Sequence, residues 1–521
     1  METTRPGSIP THRAPFELAI TLPRLTARFR AHLQPRVLLR WYLPTLLLIF
    51  LVKGVVIGTV HPAFTGHDEV AHYAYLEILS TEHRVPAMPD PDVLQSDPDA
   101  AFDKLPASLW AYCHFTTEDW GGCAENTCPE TCYARVDPET GATRPAGWVY
   151  TANHPPLYYL LMAPLYELTD HLAPEEQLTW LRFAAIPFGM IVVLCAWLTT
   201  RTLFPRDRFL QITVPAVVAF QPQIAYEAAM LNNDIMAIAL VSIVIWLCAR
   251  GVRTRFPLAN VLLIGATFGL ALLTKTTALP VGIAIAATMI LGLGWRNVRV
   301  WLPRGLLAGS VTLLLVWPWY WHMLRTYGDL NGLSRIRELQ WWNYDNATPP
   351  SLLNELTNRD FFWTIWGQTW GGFGWLLMPA PESLLRKIFL VASLAMIGLA
   401  VRAIRAYLAT SCSIRDGAPR LRMRFGVPLN RRQGMFLLAL GVFVAGSYGA
   451  ILQFGTQFEG TQARYAFPAV TAVALLAMVG IRSLVPSRAL PVIAVLTMAG
   501  MVWLNVEIYR DAVMPWIDAQ P

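Results

Sequence analysis

Four short clusters of residues in this chain have the types and spacing that chemistry needs. The first is Gly66-His67-Asp68-Glu69-Val70-Ala71-His72-Tyr73-Ala74-Tyr75. A helix running from Asp68 would set Asp68, His72 and Tyr75 on one face, because positions i, i+4 and i+7 nearly superpose. A carboxylate beside a histidine is a workable general base or a pair of metal ligands. The plainer reading is that Asp68 and Glu69 complement the positive end of a helix N-terminus. The second cluster is Asn153-His154-Pro155-Pro156-Leu157-Tyr158-Tyr159. Its double proline fixes a helix start with His154 just ahead of it; the alternative is an interfacial turn with aromatic anchors. The third is Glu227 with Leu231-Asn232-Asn233-Asp234, acids in an otherwise apolar hairpin, where a functional role competes with a simple polar turn. The fourth is a pair of cations, Lys275 in Leu273-Thr274-Lys275-Thr276-Thr277 and Arg464 in Gly460-Thr461-Gln462-Ala463-Arg464-Tyr465. Such cations hold a phosphate well, or else snorkel toward a headgroup layer. Lys53, inside an apolar run, reads as a snorkelling or paired lysine. P-loop, dinucleotide and His-Glu-x-x-His signatures are absent from the sequence, which disfavours nucleotide-driven and zincin chemistry.

The elements that must position these clusters are membrane helices. Of 521 residues, 54% are hydrophobic and 15% charged, with a mean hydropathy of +0.39. Soluble domains are about one quarter charged, so the apolar surplus needs lipid to face. Twenty Trp and seventeen Tyr suit two interfacial aromatic belts. The net charge of +6 sits in short clusters between apolar runs, a pattern of cytoplasmic membrane loops and not of nucleic-acid binding.

Runs long enough to span lie near 43–60, 180–203, 209–226, 233–249, 257–274, 277–295, 303–322, 385–405, 433–453, 463–483 and 489–507. Whether 155–169 also crosses decides the parity. If it does, the arginine clusters at 201–208, 250–255 and 296–304 fall outside; if it is interfacial or re-entrant, they fall inside with the basic loop 406–432. The positive-inside rule selects the second topology, with about eleven spans, N-terminus in and C-terminus out. The fold class expected is therefore an all-α polytopic bundle. Residues 1–42 form a cytoplasmic basic tail and 43–521 the transmembrane domain. The acid-rich loop 61–154 and the aromatic loop 323–384 lie outside, with Trp363, Trp366 and Trp370 along the interface. All four clusters then reach one side.

Cys113, Cys123, Cys128 and Cys132 all fall in the outer loop. An even cysteine cluster in an oxidising compartment suits two disulfides, with three pairings open. A zinc site with His114 in reserve and free thiols are the alternatives. Asn346-Ala347-Thr348 matches an N-glycosylation acceptor.

Together, the acid pair after the first span, the His-Pro-Pro-Leu-Tyr helix start, the later acid and the Arg464-Tyr465 pair resemble the GT-C superfamily of membrane glycosyltransferases. That superfamily includes the protein O-mannosyltransferases and the aminoarabinose transferases. The run Asp68-Glu69-Val70-Ala71-His72 is similar to the D-E-P-A-H signature of a bacterial branch, with Val70 in place of proline. The resemblance implies an integral protein of a bacterial cytoplasmic membrane, acting at its outer face. It would transfer a sugar from a polyprenyl-phosphate donor to a glycan, lipid or protein acceptor. Asp68 would be the base, and Glu69 would assist or bind a divalent metal, Mg or Mn, with Asp68. Lys275, Arg464 and Tyr465 would hold the phosphate. His72, His154, Tyr158, Glu227, Asn233 and Asp234 would line the substrate pocket. A transporter or flippase is the rival reading, and a non-catalytic scaffold is a third that requires Asp68 and Arg464 to sit apart.

Overall fold

The computed structural model describes residues 35–97, 100–106, 108–109, 112, 134–136, 143–145, 147–339, 349–374, 377–415, 429–458 and 461–519. The four cysteines of the expected disulfides, the Asn346 triplet and nearly all of the N-terminal tail lie outside these residues. Residues 1–46 and 47–521 form two units, and the site described below belongs wholly to the second.

The chain is helical nearly throughout. In order come α1 (Pro35–Val60), α2 (Glu69–Glu82), α3 (Leu157–Leu168), α4 (Pro174–Leu203), α5 (Arg208–Phe220), α6 (Pro222–Ala228) and α7 (Asp234–Thr254). They are followed by α8 (Leu258–Leu272), α9 (Val281–Leu293), α10 (Val298–Tyr327), α11 (Arg359–Gly371), α12 (Glu382–Arg415), α13 (Arg431–Gly455), α14 (Val470–Leu484) and α15 (Leu490–Ile508). Strand is confined among the described residues to two short antiparallel pairs, Ala134–Val136 with Thr143–Pro145 and Gly372–Phe373 with Met378–Pro379.

Nine helical segments among the described residues are long and apolar enough to cross a bilayer, and the chain is an integral membrane protein. Two of the eleven expected runs are shorter. Helix α8 has 15 residues and α5 has 13, so at 1.5 Å per residue they reach only ~20–22 Å of a ~30 Å core. The run 209–226 is cut because Pro222 forces Gln221 into an extended conformation, and the Gln221 side chain then caps α6 by accepting from Ile224 N. Helix α3 has 12 residues after its double proline, ~18 Å of the ~30 Å core.

Helix α7 is the most enclosed span, with 78% of its apolar window buried against 17% for α10. It is therefore the post around which the site is organised. Helices α12 and α14 approach so closely that a Cβ on Gly480 would lie 2.1 Å from the Ala395 carbonyl oxygen. Glycine there lets α14 sit where its preceding 3₁₀ turn, Ala463–Ala469, delivers Arg464 beside α7.

Candidate active site

The site is built on a loop, a helix start and two turns at one end of the bundle. After α1 the chain turns through Gly66 to Asp68, a non-glycine residue in the left-handed region with φ 58° and no side-chain capping bond. Held there, the Asp68 carboxylate is directed away from its own helix; strained backbone of this kind persists where the surroundings over-determine it. Arg464 NH2 donates to Asp68 Oδ2 at 2.5 Å, and Arg464 NH1 reaches Asp234 Oδ2 at 3.4 Å. Lys275 Nζ donates to the same Asp234 oxygen at 2.7 Å. Asp68, Asp234, Lys275 and Arg464 are all at least 95% buried. Two carboxylates and two cations from four distant stretches of chain thus make one alternating charge cluster, at least 95% buried but near neutral in sum.

The histidines join from one side. His72 Nδ1 is 2.8 Å from Tyr159 Oη, which also lies 3.3 Å from His154 Nδ1. Asn233 Nδ2 is 3.2 Å from His154 Nδ1 and donates to Thr274 O at 3.1 Å, tying α7 to the Lys275 turn. Tyr75 donates to His154 O, so the face expected to carry Asp68, His72 and Tyr75 does meet the His154 turn. Burial, then Lys275 and Arg464, hold the His72 imidazole well below its ordinary value, and burial with Lys275 does the same to His154. Both rings are neutral at pH 7. Burial pushes the Asp68 carboxyl up, but Arg464 and Lys275 outweigh it and leave Asp68 below the usual carboxylate value.

On the other side, His67 Nδ1 is 2.9 Å from Glu227 Oε1, and Asn232 Nδ2 donates to Glu227 Oε2 at 3.0 Å. This pair lines a small polar cleft with Gln223, Gln368, Gln462 and Arg464. Both amide atoms of buried Gln223, Gln462 Oε1, Arg464 Nε, His72 Nε2 and Asn233 Oδ1 have no hydrogen-bond partner. Of these, Gln223, Gln462 and Arg464 share the cleft, and buried polar atoms are rarely left so.

Two other expected residues, Tyr158 and Glu69, stand apart from the charge cluster, whereas Tyr465 adjoins it. Tyr158 packs edge-on against Tyr159 in the apolar cluster of α2 and α3, and its neighbour Tyr159 makes the polar contacts to both histidines. Tyr465 lies under the Arg464 guanidinium at 5.8 Å and against Phe454. Glu69 is committed elsewhere. Its Oε1 accepts from Arg182 Nε and Leu231 N, and its Oε2 from Arg182 NH2 and Gly66 N, at 2.6–2.9 Å. Arg182 also donates to the Gly58, His61 and Pro62 carbonyls. With four acceptor positions filled, Glu69 does not fit a metal ligand or a base. Among the described residues no group of three or more His, Cys, Asp or Glu is arranged to hold a metal ion. Arg182 itself was missed from sequence; a lone arginine inside an apolar run was the available signal.

Residues 153–322 match the family described as dolichyl-phosphate-mannose-protein mannosyltransferase. That segment carries His154, Tyr159, Arg182, Glu227, Asn233, Asp234 and Lys275. The match covers about a third of the chain. No curated protein matches the sequence. Among solved structures the chain is similar to the apo form of ArnT from Cupriavidus metallidurans, with 18% identity and a TM-score of 0.39 over 63% of this chain and 49% of that one. The same protein bound to undecaprenyl phosphate gives 14%, 0.43, and 90% of this chain against 70% of that one. The apo oligosaccharyltransferase of Archaeoglobus fulgidus gives 13%, 0.48, and 90% against 55%. The chain thus spans about half the length of the first of these proteins.

Proposed function

We propose that this protein transfers a glycosyl group from a polyprenyl-phosphate-linked donor to an acceptor hydroxyl at the outer face of the membrane. The observation that carries the reading is the buried Asp68–Arg464–Asp234–Lys275 cluster, at the end of α7 opposite the arginine-rich loops. In the reaction the acceptor oxygen attacks the anomeric carbon, the bond from that carbon to the phosphate oxygen breaks, and the acceptor proton passes to the Asp68 carboxylate. The departing lipid phosphate gains negative charge as it leaves, and Lys275 and Arg464 stabilise it where fixed cations act most strongly. A hydroxyl is a far weaker acid than a carboxylic acid, so proton transfer runs together with departure of the phosphate.

Arg464 has a second duty in this scheme. Without donor it neutralises Asp68; an incoming phosphate competes for the same guanidinium and leaves Asp68 the stronger base. The unpartnered Gln223 amide, Gln462 Oε1, Asn233 Oδ1 and His72 Nε2 supply neutral hydrogen-bonding groups suited to sugar hydroxyls. The pairing of Asp68 with Arg464 is at odds with a scaffold in which the two sit apart. The test is purified protein given polyprenyl-phosphate sugars and a mixture of hydroxyl acceptors, followed for lipid-phosphate release. Movement of the intact lipid-linked sugar between leaflets without cleavage would support transport in its place.

A further inference from the structure

A second polar feature lies at the far end of the bundle, where the C-terminal ends of α4, α7 and α14 meet the starts of α5, α13 and α15. It is a cavity of about 970 Å³. Six arginines line it, Arg206, Arg208, Arg253, Arg402, Arg432 and Arg482, against one acid, Asp207. That acid is already engaged. Asp207 Oδ1 accepts from Leu210 N to cap α5, and Oδ2 accepts from Arg482 Nε at 3.2 Å. Arg432 donates to the Arg253 carbonyl.

Arg482 separates this from an ordinary basic surface. Its side chain is 8% exposed, yet NH1 has no hydrogen-bond partner. A topogenic cluster needs only exposed, hydrated cations. Here one guanidinium is withdrawn from water with a donor unused, which is costly, and its neighbours carry the same charge. An anion with several acceptor oxygens would satisfy the donor and offset the repulsion, and the guanidinium fork matches phosphate best. Phe204, Phe209, Leu490 and Pro491 line the same cavity, which gives an acyl-bearing phosphate an apolar wall.

This cannot be the donor site seen from another angle. Helix α7 carries Asp234 in its first turn and Arg253 in its last, ~28 Å apart along the axis, about the thickness of a bilayer core. We propose that the arginine cavity binds a phosphate-bearing anion, an acidic lipid headgroup or free phosphate, at the membrane face opposite the reaction site.

The test uses the full chain in neutral detergent. Retention of phosphatidylglycerol and of phosphatidylcholine is measured by native mass spectrometry, with inorganic phosphate as competitor at constant ionic strength. The proposal predicts at least tenfold preference for phosphatidylglycerol, abolished by Arg402→Gln with Arg432→Gln. Competition by inorganic phosphate identifies free phosphate as sufficient, and its failure identifies the lipid headgroup; either supports the site. Equal retention of the two lipids without phosphate binding overturns it, as does a preference unchanged in the double variant. Should that variant not fold, Arg432→Gln alone, at an exposed side chain, must weaken retention at least threefold, and no change is equally fatal.

Discussion

Arg464 is the residue on which the proposed chemistry turns, since among the described residues it alone contacts both acids of the cluster. Arg464→Gln and Lys275→Gln should each lower the turnover of a folded protein by ~10²–10³, the range for removing a group that stabilises developing charge. Unchanged turnover in either would detach that cation from the leaving phosphate. Arg182→Gln should act differently. Breaking its buried pair with Glu69 leaves a carboxylate uncompensated, at a cost of ~3–5 kcal/mol, so the thermal midpoint should fall sharply. A normal midpoint with selective loss of turnover would give Glu69 and Arg182 a direct part in the reaction. The pH dependence follows from three groups. Asp68 is held below its ordinary 3.8, so its contribution is complete above that value and is lost only as pH falls through the lower folded value. His72 and His154 stay neutral when folded but protonate near 6.5 when unfolded. Stability should therefore decline as pH falls from 7 toward 5, by up to ~1.4 kcal/mol per unit for each histidine. Thermal midpoints of the wild type and His72→Gln over that range check this: the variant's decline should be shallower, and equal slopes would remove His72.

At the scale of elements, much was legible because lipid imposes simple rules. Apolar runs gave nine of the eleven expected spans at full length, and 155–169, which arginine placement demoted, holds a 12-residue helix. The break at Pro222 needed the proline to be weighed above the apolar run around it. What sequence could not yield was the direction of side chains next to each other in the chain. Asp68 and Glu69 are consecutive, yet one faces Arg464 and the other Arg182; the left-handed turn at Asp68 separates them, and no residue type there demands it. Likewise Tyr158 and Tyr159 look equivalent and both lie in the same apolar cluster, yet it is the Tyr159 hydroxyl that reaches the histidines. Gly66, which is buried, is the tightest point of this loop, since an added Cβ would lie 2.4 Å from Glu69 Cδ. Gly66→Ala should destabilise by ~1–3 kcal/mol through overpacking and displacement of Glu69. A thermal midpoint equal to the wild type would show that the loop yields freely.

For the whole molecule, charge is distributed asymmetrically along α7 and α14. Both helices begin beside the Asp68 cluster and end beside the arginine cavity. On the proposed sidedness, the positive-inside bias would put the cavity toward the cytoplasm and the cluster outside. An epitope placed after Asp170 should be reached on intact cells, and one after Arg255 only after permeabilisation; the reverse pattern would invert the proposed sidedness. The central claim is glycosyl transfer with Asp68 as base, and one measurement addresses it most directly. Purified wild type and Asp68→Asn are compared for release of polyprenyl phosphate from a polyprenyl-phosphate sugar in the presence of acceptor, with donor binding measured alongside. The wild type should release lipid phosphate, and the variant should bind donor yet turn over ~10²–10⁴ more slowly, the span of general base catalysis. Release by the variant at the wild-type rate would contradict the account.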